Sequence, residues 1–474
     1  MTARFLLIGS LASGLGWGVC QGAPSVDEVN AALLKAAVFF HGEVALEGGY
    51  VYYVSPDFSR RLGEGKASST EIWVQAPGTP TVGMAYLSAY KATGQKFFLK
   101  AATDAGRALV YGQLESGGWR NSIDFDAKGP RVDQYRNGKG RGKNYSTLDD
   151  GITQEALTFL IQLDEALNFE DGEIHEAVEY ALPRLLAAQF ANGAFPQVWQ
   201  GPVKAHGEMP ASFPDYDWKT EGRIKEYWDH YTLNDGLAGT VSRLLIEADR
   251  VYKKPEYREA LEKLGRFLIL AQLPEPQRGW AQQYGPEMYP IWARAFEPPA
   301  VSGRESEDAM KTLLRIAHYT GDESYMAPVV AGVKYLESSL LPDGRLARYY
   351  EMKTNRPLYM ERSGKVYSPT FDDSNLPDHY GWKTTPELDL IKTAYRTATR
   401  GEDPDTVFES PVTQEGVKAI LDSLDSEGRW LSRYDGELLT GQPKFATGEA
   451  YINSAVFAEN VEILSRYLIL AGER

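Results

Sequence analysis

Thr147-Leu148-Asp149-Asp150-Gly151 returns 85 residues later as Thr232-Leu233-Asn234-Asp235-Gly236, and the same apolar pattern follows each. Ile152, Ala156, Phe159, Leu160, Leu163 and Leu167 fall at offsets 0, 4, 7, 8, 11 and 15, and Leu237, Val241, Leu244, Leu245, Ala248 and Tyr252 occupy the same six offsets. That spacing puts every apolar side chain on one stripe of a helix packed on one side. A second pair, Ala92-Thr93-Gly94 leading to Phe97-Phe98 and Tyr319-Thr320-Gly321 leading to Tyr325, reads as helix, glycine cap and new helix. This is the pattern of a helical hairpin. Looser glycine-aromatic turns end many units, at Gly49-Tyr50, Gly118-Trp119, Ala194-Phe195, Gly279-Trp280, Gly344 with Leu346 and Gly428 with Trp430. The last-named residues are separated by 69, 76, 85, 66 and 84 positions. Six such units predict an all-α fold, an α/α toroid of helical hairpins whose long loops form a substrate cleft on one face. An open solenoid fits less well, since common helical arrays repeat every ~34 to 47 residues.

The chain has 474 residues, 43% hydrophobic and 12% aromatic, which is the composition of a folded globular protein. No Pro/Ser linker divides it, so residues 24–474 are expected to form one α/α-toroid catalytic domain. Residues 1–23 read as a signal peptide: Arg4, an apolar run from Phe5 to Val19, then small residues to Gly22 and Ala23. The mature protein is therefore expected to be periplasmic or secreted, without a membrane span, and monomeric. A formal charge of −15 argues against a general nucleic acid binder. A single cysteine, Cys20, excludes a disulfide framework and a Cys-based zinc site within one chain.

Four segments stand out from the helical background. Gly117-Gly118-Trp119-Arg120 continues through a basic, glycine-rich stretch from Arg131 to Lys143 into Asp149-Asp150. Asn192-Gly193-Ala194-Phe195-Pro196-Gln197 leads to the second Thr-Leu-x-Asp-Gly. Trp292-Ala293-Arg294-Ala295-Phe296-Glu297 follows, and then Ala347-Arg348-Tyr349-Tyr350-Glu351 with Thr354-Asn355-Arg356-Pro357 and Glu361-Arg362. Asp150 and Asp235 sit at predicted helix N-termini, where the bland role is capping of free N–H groups. If the two helices face one cavity, their carboxylates supply hard oxygen ligands suited to Ca2+. Arginines beside aromatic residues commonly stack or pair on a surface, but Arg294, Arg348, Arg356 and Arg362 together favour a local anion site. Guanidinium groups match carboxylates in geometry, and Trp119, Trp292, Tyr349 and Tyr350 offer either ring faces for sugars or core packing. The anion these features suit is a uronic acid polymer. No phosphate loop or dinucleotide fingerprint, no paired histidines at metal-ligand spacing and no Gly-x-Ser-x-Gly elbow occurs.

Taken in order, the motifs at 192–197, 232–236, 292–297 and 347–362 resemble those of the pectate lyases of polysaccharide lyase family 10. The resemblance implies an α/α-toroid enzyme cleaving polygalacturonate, or a related uronic acid polysaccharide, by β-elimination with Ca2+ as cofactor. It makes Arg294 the Brønsted base. Asp149 and Asp235 fall at the Ca2+ and substrate site, with Asp150 the substitute for Asp149 because its place in the internal repeat matches Asp235. Arg348 and Arg362 then bind uronate groups. From the pattern of arginines and aromatics above, Arg356, Trp292 and Tyr349 are added as candidate substrate contacts. Where the family has Gly-Gly-Trp-Pro-Gln, this chain has Gly117-Gly118-Trp119-Arg120-Asn121. Two other functions fit the same residues: a hydrolase using a pair among Asp149, Asp150 and Asp235, and a uronate-binding protein without turnover.

Overall fold

The apolar stripes fold as helices in the computed structural model, which describes residues 23–203, 207–441, 443 and 445–472. Among these residues the α-helices are α1 (Val26–Phe39), α2 (Thr79–Thr93), α3 (Lys96–Tyr111), α4 (Ile152–Ala166), α5 (Gly172–Ala187), α6 (Leu237–Tyr252), α7 (Pro255–Ala271), α8 (Gly303–Thr320), α9 (Ala327–Ser338), α10 (Leu388–Thr399), α11 (Gln414–Ser423) and α12 (Ser454–Gly472). In α4 the stripe residues Ile152, Ala156, Phe159, Leu160 and Leu163 are buried, as are Leu237, Val241, Leu244, Leu245 and Ala248 in α6. The signal peptide expected over residues 1–23 lies, apart from Ala23, outside the described residues. No helix among the described residues is long and apolar enough to cross a membrane.

Packing divides the chain into two units. One comprises the residues up to Trp73, Pro77–Ala108 and those from Pro411 onward. In it α12 packs on α1, α2 and α11, and the strand Tyr53–Val54 pairs with both Arg61–Leu62 and Ala450–Asn453. Residues near the C-terminal end thus complete the packing of the first helices.

The other unit comprises Val74–Ala76 and Leu109–Ser410. Here α4, α6, α8 and α10 pack side by side in succession, while α5 packs on α4, α7 on α6 and α8, and α9 on α8 and α10. This two-layer arrangement of hairpins is the α/α class expected from the repeats. Each of those four helices is preceded by a two-residue strand in an antiparallel ladder: Ser146-Thr147 with Val198-Trp199, Tyr231-Thr232 with Gln283-Tyr284, Val301-Ser302 with Tyr349-Tyr350, and Lys383-Thr384 with Leu346-Ala347. A longer hairpin, Pro357–Ser363 with Val366–Thr370, extends the third ladder into a four-stranded sheet. The fold is mainly helical, as the repeats predict, with these short ladders between the helices.

The glycine-aromatic turns have a shared job. Trp119 and Trp280 are fully buried, and each indole N–H donates to a carbonyl on the preceding helix, Leu109 in α3 and Leu268 in α7, both at 2.8 Å. Their backbone N–H groups bond the Thr153 and Ser306 hydroxyls of α4 and α8 at 3.1 and 2.8 Å. A Cβ on Gly118 would come within 2.6 Å of the Thr153 hydroxyl, so the turn approaches the helix only because that residue is glycine.

Candidate active site

The two Thr-Leu-x-Asp-Gly segments fold alike. Leu148 N–H bonds the Gln197 carbonyl at 2.8 Å and Leu233 N–H bonds the Gln282 carbonyl at 2.9 Å, which docks each turn on the strand of its ladder. A single 3-10 turn follows, Asp149–Gly151 or Asn234–Gly236. Within it Asp150 has φ 47° and Asp235 φ 51°, and Gly151 and Gly236 continue in the left-handed region at 75° and 70°. A non-glycine residue held there costs about 1–2 kcal/mol, and aspartate is among the few side chains that tolerate it. The helix caps are Gly151 and Gly236, and no side chain makes a capping hydrogen bond at either. The carboxylates are thereby released from the capping role that their positions suggested.

Because α4 packs on α6, the repeated turns meet, and carboxylate oxygens of Asp149, Asp150 and Asp235 all lie within 4.8 Å of one another. Burial pushes the Asp149 carboxyl up to about 7, and the negative charges of Asp150 and Asp235 add to the shift; a hydrogen bond from Gln197 and the charge of Arg294 oppose it. Three hard oxygen donors in mutual repulsion fit a divalent cation of the Ca2+ type. Gln75 Nε2 donates to Asp150 Oδ2 at 2.8 Å, and Asn121 Nδ2 donates to Gln75 Oε1 at 3.0 Å. Asn121, one of the positions that depart from the family pattern, thus supports the cluster through Gln75. Neither glutamine nor asparagine carries a sequence signal that marks it out from other turn residues. Arg304, at the start of α8, places Nη1 3.8 Å from Asp235 Oδ1, a contact that helical periodicity alone does not single out.

Arg294 lies in the loop between the second and third ladders. Its backbone N–H and Nε both donate to Glu297 Oε2, at 3.0 and 2.8 Å, and Nη2 donates to Glu297 Oε1 at 2.5 Å. Nη1 makes no hydrogen bond to another described residue. Glu297 is 2% exposed and also accepts from the Tyr380 hydroxyl at 3.1 Å. Burial draws the Arg294 guanidinium down, but the hydrogen bonds and charge of Glu297 outweigh it, and the net shift is upward. At rest the residue is an arginine held in its cationic form. Asp149 and Asp235 both feel its charge, which links it to the acidic cluster.

The remaining predicted contacts have separate fates. Arg348 is buried, with Nη2 2.9 Å from Glu305 Oε1 and the guanidinium carbon 5.0 Å from the Tyr380 ring centroid. Trp292 and Tyr349 are 1% and 0% exposed. The Trp292 indole donates to the Trp218 carbonyl at 2.8 Å, and the Tyr349 hydroxyl bonds Gln282 and, at 2.7 Å, Tyr380. Neither presents a free face to a sugar ring, so the expectation of stacking by these two is corrected to core packing; Trp119 and Tyr350 are likewise buried. Arg356 stacks over Phe371 at 3.5 Å, and Arg362 is exposed on the hairpin with Nε 2.8 Å from the Gly364 carbonyl. Among the described residues neither is in contact with the acidic cluster.

Residues 113–345 match the family model of the pectic acid lyases. This segment, just under half of the chain, is similar to the pectic acid lyases. The pectic acid lyase segment contains the three aspartates, Arg294, Glu297 and Arg304, and it ends before Arg348, Arg356 and Arg362. The match supports a lyase enzyme. No curated protein matches the chain. Among solved structures, a mutant family 10 polysaccharide lyase from Cellvibrio cellulosa in complex with trigalaturonic acid is similar over 67% of this chain and 98% of its own, at 20% identity and a TM-score of 0.46. The cellobiose 2-epimerase from Spirochaeta thermophila is similar over 94% and 96%, at 14% identity and 0.48. An unsaturated glucuronyl hydrolase specific for heparin is similar over 94% and 99%, at 12% identity and 0.43.

Proposed function

We propose that this pectic acid lyase-like chain is an exported enzyme that cleaves polygalacturonate, or a closely related uronic acid polysaccharide, by Ca2+-assisted β-elimination. The observation that carries the reading is the convergence of Asp149, Asp150 and Asp235 within 4.8 Å inside the family segment, beside the charge of Arg294. These three carboxylates would hold the cation. When bound, Ca2+ supplies neutralisation of a substrate carboxylate, which makes the neighbouring C5 proton more acidic. Arg294 is the residue that meets that proton, through Nη1, with Nε and Nη2 fixed on Glu297. To accept a proton the guanidine must first give one up, and Glu297 opposes this. Exclusion of water by the substrate works in the other direction, since desolvation disfavours the charged form. A glycosidase pair needs its carboxyl groups across a cleft on either side of the scissile bond; the three aspartates here sit together in two adjacent turns, which favours cation binding over paired-aspartate hydrolysis.

The test is near-ultraviolet absorbance of an unsaturated uronide during incubation with polygalacturonate. A rise that depends on Ca2+, stops with chelator and disappears in Arg294→Ala is expected. New reducing ends without the absorbance would replace the lyase with a hydrolase.

A further inference from the structure

We propose that the exposed segment from Lys139 to Lys143 is a second binding surface for the polyanionic chain, extending uronate recognition beyond the acidic cluster. The inference rests on the lyase reading above and adds a substrate contact on the N-terminal side of Asp149. Residues 128–143 hold six basic side chains and one acidic, a net of 6 − 1 = +5, in a chain of formal charge −15. Basic and glycine residues alternate over Lys139-Gly140-Arg141-Gly142-Lys143. The glycines face the protein: a Cβ on Gly140 would lie 2.2 Å from the Asp133 carbonyl oxygen, and one on Gly142 2.1 Å from that of Val132. Gln134 N–H bonds the Lys143 carbonyl at 3.0 Å and holds the segment against residues 132–134. Lys139, Arg141 and Lys143 are all exposed, at Cα separations of at most ~7 Å between successive cations.

Little compensates their charges, although Lys143 acts on the Asp133 carboxyl from a distance. The buried Asp133 carboxylate is spent on Arg120 Nη1, at 2.7 and 2.9 Å, and on the Lys143 backbone N–H at 3.2 Å. Among the described residues none of the three cations forms an ion pair; Lys139 and Lys143 instead lie 5.3 and 5.7 Å from the ring centroids of Tyr111 and Tyr145. A row of unpaired cations in an acidic protein attracts a polyanion. The row is also within reach of the cluster, because Lys143 and Asp149 are six residues apart and the backbone between them spans at most ~20 Å. A polymer with a carboxylate on every sugar engages both places at once, whereas a short oligomer held at the aspartates is expected to fall short of the row.

The triple substitution K139A/R141A/K143A tests this while leaving Gly140, Gly142, Asp133 and the aspartates in place. With an unchanged melting temperature, the variant is expected to show a KM for long polygalacturonate raised about five-fold or more at low salt, and an unchanged kcat. Its KM for trigalacturonate stays at the wild-type value. An unchanged KM for the long polymer, or an equal rise for the trimer, overturns the proposal. If the wild-type protein forms no unsaturated product at all, it is the lyase reading that fails. Migration through a gel containing polygalacturonate then tests the surface alone: retardation of wild type but not of the variant supports it, and equal migration overturns it. Loss of retardation by duplex DNA, with retardation by polygalacturonate intact, also overturns it.

Discussion

Asp150 and Asp235 carry both the chemistry and the strain of the site, and the two can be separated by substitution. At φ 47° glycine relaxes the turn and alanine does not. Asp150→Gly is expected to be about 1 kcal/mol more stable than Asp150→Ala in urea unfolding, with both losing cation affinity. Asp149, pushed up to about 7, is largely protonated at pH 6 and must release that proton to bind a cation. The Ca2+ affinity measured by calorimetry is therefore expected to fall as pH drops below about 7, approaching tenfold per unit, and the observed enthalpy to vary with the buffer's ionisation heat. A second buried carboxyl, Glu307 in α8, is pushed up to about 8, chiefly by burial, against an ordinary value of 4.5. Here the folded state binds the proton more tightly than the unfolded one, so Glu307 lowers stability progressively as pH rises from about 4.5 to about 8. Its Oε1 accepts the Glu387 N–H at 2.6 Å, a bond that glutamine keeps. Glu307→Gln is expected to stabilise the protein by about 1–3 kcal/mol at pH 8 and by little at pH 4, in thermal melts at the two pH values.

The helical elements were legible because their apolar residues repeat at 3.6-residue spacing over four turns, long enough to outweigh chance. The ladders were not, since two residues cannot display the alternation of a strand. Arg362 read as a turn residue although it lies in the seven-residue strand Pro357–Ser363, because the polar run Glu361-Arg362-Ser363 displays no alternation either. At the site, repetition made Asp150 and Asp235 readable as partners, and Arg294 was readable through its motif. Gln75, Asn121 and Arg304 were not, because their roles arise from the packing of separate segments. Trp292 and Tyr349 show the opposite failure, since an aromatic residue in a loop looks the same in sequence whether it lines a cleft or fills a core. The anchoring of each turn by an indole has a measurable consequence. Trp119→Ala removes a fully buried ring and its hydrogen bond to α3, and is expected to cost about 3–5 kcal/mol in denaturant unfolding.

Across the whole chain, the proposed elimination draws on what surrounds the acidic cluster. The three carboxylates are crowded together, Arg294 is held cationic by Glu297 and its charge reaches them, and an exposed basic row precedes Asp149 in the chain, in a protein otherwise acidic. Together these features suit a negatively charged polymer bound through a cation, as the proposed elimination requires. Water labelled with heavy oxygen distinguishes the two outcomes directly, because hydrolysis places one solvent oxygen in the new reducing end and β-elimination places none. Mass spectrometry of the oligouronides released from polygalacturonate in such water, with Ca2+ present, is expected to show unsaturated products free of label. Labelled, saturated products would contradict the account.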